Sequence, residues 1–131
     1  MATISVLLVD DSPDFLQLVG VWLSHEEGLE VVGSATSAAE AIALVAKLCP
    51  RVVVMDVEMP GMNGIEATSR LKSRAAPPAV VMLSLHCDPA YRAAAAEAGA
   101  DGFVSKSQFA TELVPSLRLA CSQDARAKVG R

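Results

Sequence analysis

The sequence predicts an α/β fold, a doubly wound sheet of five parallel strands with helices on both faces. Short aliphatic runs alternate with helical stretches five times along a chain of 131 residues, which is the pattern of repeated βα units. The third run is apolar on both faces, as in a central strand of a parallel sheet. Polar residues collect where the runs end, and the length is that of one domain.

The first two units are defined by aliphatic strands and helix caps. Residues 4–9 form the first strand, after which Ser12 offers an N-cap with proline at the first helical position. Residues 29–35 form the second strand. Ser37 and Glu40 then form a capping box that opens the second helix.

The third and fourth units follow the same pattern. Residues 51–56 are the predicted central strand, and Asn63 opens the next helix. Residues 80–84 form the fourth strand. Asp88 opens an alanine-rich helix that Gly99 ends as a C-cap.

The fifth unit completes the predicted domain. A short strand over residues 101–105 precedes a last helix at about residues 110–122. Pro115 lies within that helix and removes one hydrogen bond, so we expect a late start or a kink. We expect the domain to cover residues 1–122 and residues 123–131 to be a tail or the stub of a linker.

The composition excludes several classes of protein. Hydrophobic residues make up 52% and charged residues 20%, which argues against disorder. Few aromatic residues (4%) and a net charge of −4 disfavour nucleic-acid binding by this chain itself. The three cysteines form no CxxC pair, so neither zinc nor a disulfide framework is predicted. We expect a soluble, cytoplasmic protein, because neither a basic leader nor a long apolar run is present.

Four of the five predicted strands end in polar side chains. The first ends in Asp10 and Asp11, the third in Asp56, the fourth in Ser84 and the fifth in Lys106. Each alone is commonly a turn, a cap or a surface residue. The carboxyl ends of parallel strands lie at one edge of a sheet, so we expect these side chains to form one site.

These residue types suit phosphoryl transfer to a carboxylate. Grouped carboxylates repel one another unless a cation is present, and Mg²⁺ favours carboxylates, a carbonyl and phosphate oxygens. A lysine and a serine can contact the phosphoryl oxygens. An aspartate can then act as nucleophile and form an aspartyl-phosphate.

Four segments at these strand ends carry a family resemblance. They are Val9-Asp10-Asp11-Ser12, Met55 to Gly64 (MDVEMPGMNG), Leu83-Ser84 and Gly102 to Lys106 (GFVSK). They resemble the receiver domain of two-component response regulators over residues 4–120. Residues 30–35 and 98–103 resemble the subgroup fused to LuxR-type helix-turn-helix domains.

The resemblance implies a flavodoxin-like sheet of strand order 2-1-3-4-5 and a set of roles. Asp56 matches the phosphoacceptor, and Asp10, Asp11, Asp56 and the backbone carbonyl of Glu58 match the Mg²⁺ ligands. Lys106 matches the lysine that contacts the phosphoryl group. Ser84 and a second residue, Phe103, match the switch pair.

The resemblance also implies partners and an output. A histidine kinase would donate the phosphoryl group, and the face made by the fourth helix, fifth strand and fifth helix would switch. Chemistry would be limited to phosphotransfer and autodephosphorylation, so an enzyme is not expected. DNA would be contacted only through an output domain outside this chain, and a homodimer is compatible with the pattern. Both a stand-alone protein and a piece of a DNA-binding regulator remain open.

Several residues depart from the family pattern. Phe103 lacks the hydroxyl of the commoner tyrosine, and the bulky Leu85 could restrict small phosphodonors. Ser107 replaces a proline. Glu58 and His86 lie beside the site, and we hypothesise that they set the lifetime of the phosphoryl group. The alternative is that both face solvent.

Two other functions compete with phosphorylation-dependent signalling. One is a receiver-like interaction module that does not take phosphate, which Leu85 and Phe103 favour. The other is a Mg²⁺-dependent phosphohydrolase of the haloacid-dehalogenase type. That type needs an Asp-x-Asp motif and a cap domain, whereas the sequence here is Asp10-Asp11-Ser12.

Overall fold

The sheet has the predicted architecture. The computed structural model describes residues 3–129, with side chains as far as Ser122. Five parallel strands form one sheet in the order β2-β1-β3-β4-β5, which confirms the predicted fold class and strand order. The strands are β1 (Ile4–Val9), β2 (Leu29–Ala35), β3 (Val52–Asp56), β4 (Ala79–Ser84) and β5 (Gly102–Ser105).

A helix follows each strand, and β5 is separated from its helix by a 3₁₀ turn. The helices are α1 (Pro13–Ser24), α2 (Ala38–Leu48), α3 (Gly64–Lys72), α4 (Pro89–Ala98) and α5 (Phe109–Val129), and the turn is Lys106–Gln108. The four predicted N-caps are confirmed, since each side chain accepts a hydrogen bond from the backbone N–H three residues on. They are Ser12, Ser37, Asn63 and Asp88.

Helix α5 is longer than predicted at its C-terminal end. It begins at Phe109, before Pro115, so the late start was wrong, and the alternative of a kink at Pro115 stays a prediction. Leu113 and Leu117 are fully buried, and burying each contributes about 1.5–3 kcal/mol. This offsets the ~3 kcal/mol cost of an internal proline. The helix runs past Ser122 because the segment is rich in good helix formers; the proposed domain boundary after residue 122 remains a prediction.

The core forms two layers, one on each face of the sheet. Residues of α1 and α5 pack on one face and residues of α2, α3 and α4 on the other. Alternate residues of β3 divide between the layers: Val52 and Val54 join the first, Val53 and Met55 the second. Every residue of β3 and β4 is buried, as the sequence of the third strand predicted.

The strand register brings the carboxyl ends of β1, β3, β4 and β5 to one edge. Val9 pairs with Met55, Asp56 with Leu83 and Ser84 with Ser105. The residues that follow these positions therefore meet at that edge. Within residues 3–129, no helix combines the length and apolar character needed to cross a membrane.

Candidate functional site

Three carboxylates meet at the carboxyl edge of the sheet. One oxygen each from Asp10, Asp11 and Asp56 lies within 4.8 Å of the others. Asp10 and Asp56 are buried, with 2% and 1% of their surface exposed, whereas Asp11 is exposed. The structure thus brings together the acidic residues that the sequence placed at strand ends.

Backbone amides orient the two buried carboxylates. Ser12 N–H donates to Asp10 Oδ1 at 2.9 Å, and Glu58 N–H donates to Asp56 Oδ1 at 3.3 Å. The start of α3 lies so close to the end of β3 that a side chain at Gly64 would collide with the Asp56 carbonyl oxygen. Glycine at that position therefore lets α3 begin directly against the end of β3.

Lys106 provides positive charge between the buried carboxylates. Its Nζ lies 2.7 Å from Asp10 Oδ2 and 3.3 Å from Asp56 Oδ1, and 4.7 Å from the ring centroid of Phe15. Burial disfavours the charged ammonium, but the hydrogen bond to Asp10 and the charge of Asp56 outweigh it and raise the pKa of Lys106. Lys106 is therefore held as a cation within the site.

The site still carries excess negative charge. Burial and, next, the charge of Asp10 raise the pKa of Asp56 to about 7, although Lys106 acts in the opposite direction. Three carboxylates around one ammonium are the donor set that a divalent cation with oxygen ligands would neutralise. The residues present therefore fit Mg²⁺.

Ser84 contacts the loop after β3. It is fully buried, and its Oγ donates to Glu58 Oε2 at 2.9 Å and accepts from His86 N–H at 2.9 Å. The His86 ring is exposed and stacks on Tyr91, with centroids 5.5 Å apart and planes at 18°. The solvent-facing alternative was wrong for the Glu58 carboxylate, which turns inward to the serine.

The predicted switch aromatic is covered by an arginine that the sequence did not single out. The Arg92 guanidinium carbon lies 4.8 Å from the Phe103 ring centroid, and Arg92 Nε donates to the Cys87 carbonyl at 3.4 Å. Leu85 is 71% exposed beside the site. A signal for Arg92 could only have come from knowing how α4 packs on β5.

This arrangement can bind a divalent cation and present a carboxylate to an electrophile. A family model for the response regulator receiver domain matches residues 6–118. The chain belongs to the response regulator receiver family. Acceptance of a phosphoryl group is general to this family.

Receivers of several larger proteins resemble this chain. It is 34% identical over 115 residues to the transcriptional regulatory protein DesR of Bacillus subtilis, covering 88% of this chain and 57% of DesR. It is 41% identical over 107 residues to a protein-glutamate methylesterase/protein-glutamine glutaminase of Geobacillus kaustophilus, covering 81% and 31%. The receiver chain thus spans about half the length of DesR and a third of the methylesterase.

A solved structure gives the same fold. A two-component response regulator of the LuxR family from Aurantimonas sp. superposes with a TM-score of 0.89 at 33% identity, covering 93% of this chain and 87% of that one. Relatives of this receiver thus include transcriptional regulators, as the sequence resemblance indicated, and also a named methylesterase.

Proposed function

We propose that this receiver accepts a phosphoryl group on Asp56 from the phosphohistidine of a histidine kinase. The observation that carries the proposal is the cluster of Asp10, Asp11 and Asp56 around Lys106 at the ends of β1, β3 and β5. We assign Asp10, Asp11, Asp56 and the backbone carbonyl of Glu58 as ligands for Mg²⁺. This is the chemistry that the excess negative charge of the site favours.

The Asp56 carboxylate acts as the nucleophile. An Asp56 oxygen forms a bond to phosphorus while the bond from phosphorus to the donor imidazole nitrogen breaks, and the electron pair leaves with that nitrogen. Asp10 holds the Lys106 ammonium beside the acceptor, where it can contact a phosphoryl oxygen. When bound, Mg²⁺ would supply further positive charge for the transferring group.

Phosphorylation would shift the population between two arrangements of the same receiver. The Ser84 hydroxyl donates to a phosphoryl oxygen in one arrangement, and the Phe103 ring turns with it. The face formed by α4, β5 and α5 then changes. The phosphoryl group selects the arrangement that it contacts better, as any ligand does.

The proposed output of this receiver is inferred from the proteins to which it is similar. We propose control of transcription through a LuxR-type DNA-binding domain, because DesR is named as a transcriptional regulator and the Aurantimonas protein as a LuxR-family regulator. The receiver itself would work in the cytoplasm as a signalling module and not as an enzyme acting on an external substrate. Association with a second copy of the chain, as a homodimer, is compatible with this role.

Intact mass spectrometry tests the proposed phosphotransfer. The full chain is incubated with Mg²⁺ and acetyl phosphate, and in parallel with an autophosphorylated histidine kinase. We expect the mass of one phosphoryl group on the wild type and none on Asp56→Asn. Leu85→Ala should gain phosphate from the small donor faster, because it opens the approach beside Ser84. A wild type that stays unmodified with both donors would favour the phosphate-independent interaction module.

A further inference from the structure

The Ser84 hydroxyl is already committed in the phosphate-free protein. Its single proton goes to Glu58 Oε2 at 2.9 Å, and its oxygen accepts from His86 N–H at 2.9 Å. A hydroxyl donates one hydrogen bond. While Ser84 donates to Glu58, it has no proton to offer a phosphoryl oxygen.

Glu58 also places a negative charge beside the acceptor. Its backbone N–H donates to Asp56 Oδ1 at 3.3 Å, and its carboxylate faces Ser84 at the same edge of the sheet. A phosphoryl group on Asp56 would bring roughly −1.5 to −2 charges to the same place. The two anions would repel each other and would compete for the same donor.

There is room for the Glu58 side chain to leave. A cleft of about 460 Å³ opens beside it, with Asp11, Met59 and Tyr91 in its wall. Glu58 is partly exposed. Rotation of its side chain alone would carry the carboxylate out into the cleft.

We propose that the Glu58 carboxylate is an internal competitor of the phosphoryl group for the Ser84 hydroxyl. It holds Ser84 in the phosphate-free arrangement until phosphorylation of Asp56 displaces it. Glu58 thereby sets how readily the receiver enters its active state. This inference rests on the proposed phosphorylation of Asp56.

Binding of a noncovalent phosphoryl mimic measures this competition. The full chain is titrated with beryllofluoride at saturating Mg²⁺, with heat of binding as the readout, and Mg²⁺ affinity is measured separately for each variant. Glu58→Ala should bind beryllofluoride about tenfold more tightly than wild type, because the Ser84 hydroxyl no longer has to give up a charged acceptor before it donates to the mimic. Glu58→Gln should lie between the two, since it keeps an acceptor oxygen but loses the charge.

A double-mutant cycle separates the hydrogen bond from simple charge removal. In a Ser84→Ala background the gain from Glu58→Ala should shrink to about twofold or less. Glu66→Gln, which removes an exposed charge on α3, is the matched control and should leave affinity unchanged. An equal gain with and without Ser84, or no gain in either, would overturn the competition.

The same titration separates the two proposals. Wild-type binding that Asp56→Asn abolishes supports phosphorylation of Asp56, and the Glu58 comparison can then fail by itself. If Asp56→Asn binds beryllofluoride as wild type does, both proposals are overturned together.

Discussion

Asp56 shows how one residue links stability to chemistry. Its carboxyl is 1% exposed and close to Asp10, and burial together with that charge raises its pKa from 3.8 to about 7. Ionisation of Asp56 therefore costs folding free energy when no cation is bound. A bound divalent cation would offset this cost, because it favours the ionised carboxylate and binds the folded protein.

The first prediction concerns pH in Mg²⁺-free buffer. Between about pH 4 and 7 the native state holds a proton on Asp56 that the unfolded state has lost, so stability falls as the pH rises through this window. Asp56→Asn should remove this fall and raise the melting temperature at pH 7.5 by roughly 5 °C, as about 1–2 kcal/mol would. Melting curves from pH 5 to 8 measure it. Parallel slopes for wild type and variant would contradict the assignment.

Asp11 is expected to contribute to Mg²⁺ binding and not to the stability of the core. It is the exposed member of the acidic cluster, so its loss should weaken Mg²⁺ binding without disturbing the core. Asp11→Asn should lower the affinity for Mg²⁺ about tenfold, as loss of one charged ligand does. The rise in melting temperature with Mg²⁺ concentration gives the affinity. Asp14→Asn, an exposed carboxylate in the first turn of α1, should behave as wild type.

At the scale of elements, α4 and β5 are joined by the contact between Arg92 and Phe103. The guanidinium covers the ring and also donates to the loop that leads into α4. Phe103 has no hydroxyl with which to form a hydrogen bond, so its polar interaction is the cation–π attraction between its ring and the Arg92 guanidinium. The arginine thereby holds the aromatic ring in the orientation seen here.

Replacement of Arg92 tests this contact. Arg92→Ala should lower the free energy of unfolding by about 0.5–1 kcal/mol, and Arg92→Lys by less, because a cation stays near the ring. Urea denaturation measures both. Arg74→Ala removes an exposed arginine after α3 and should change stability by less. Equal losses at Arg92 and Arg74 would show that the ring contact contributes nothing specific.

The elements also show where sequence reasoning works. Ser12, Ser37, Asn63 and Asp88 were correctly predicted as caps because a cap depends on a residue and its next three neighbours. The C-terminal end of α5 was not, because the segment after residue 122 has no apolar period to mark it as helical. The tolerance of Pro115 was not either, because it depends on the burial of Leu113 and Leu117 against the rest of the core. Local sequence patterns determine where helices begin, whereas tertiary packing determines whether a helix tolerates an internal proline.

For the whole molecule, topology explains why the site was predictable. Four site residues lie far apart in sequence, but each is the last residue of a parallel strand or the residue just after one, and the strand ends share one edge. They are Asp10, Asp56, Ser84 and Lys106. The contacts of Glu58 with Ser84 and of Arg92 with Phe103 were not predictable. The first depends on the side-chain direction of Glu58 in the loop after β3, and the second on how α4 packs against β5; no sequence period specifies either.

Chemical mapping of the modified residue tests whether Asp56 is the phosphoacceptor. The full chain is phosphorylated by a histidine kinase in the presence of Mg²⁺ and treated with borohydride, which reduces an acyl phosphate to the alcohol. Peptide mass spectrometry then locates the change. We expect reduction at residue 56 and at no other aspartate or glutamate, and none in Asp56→Asn. Reduction at Asp10, Asp11 or Glu58 in the wild type, or a phosphorylated chain without a reducible carboxyl, would contradict it.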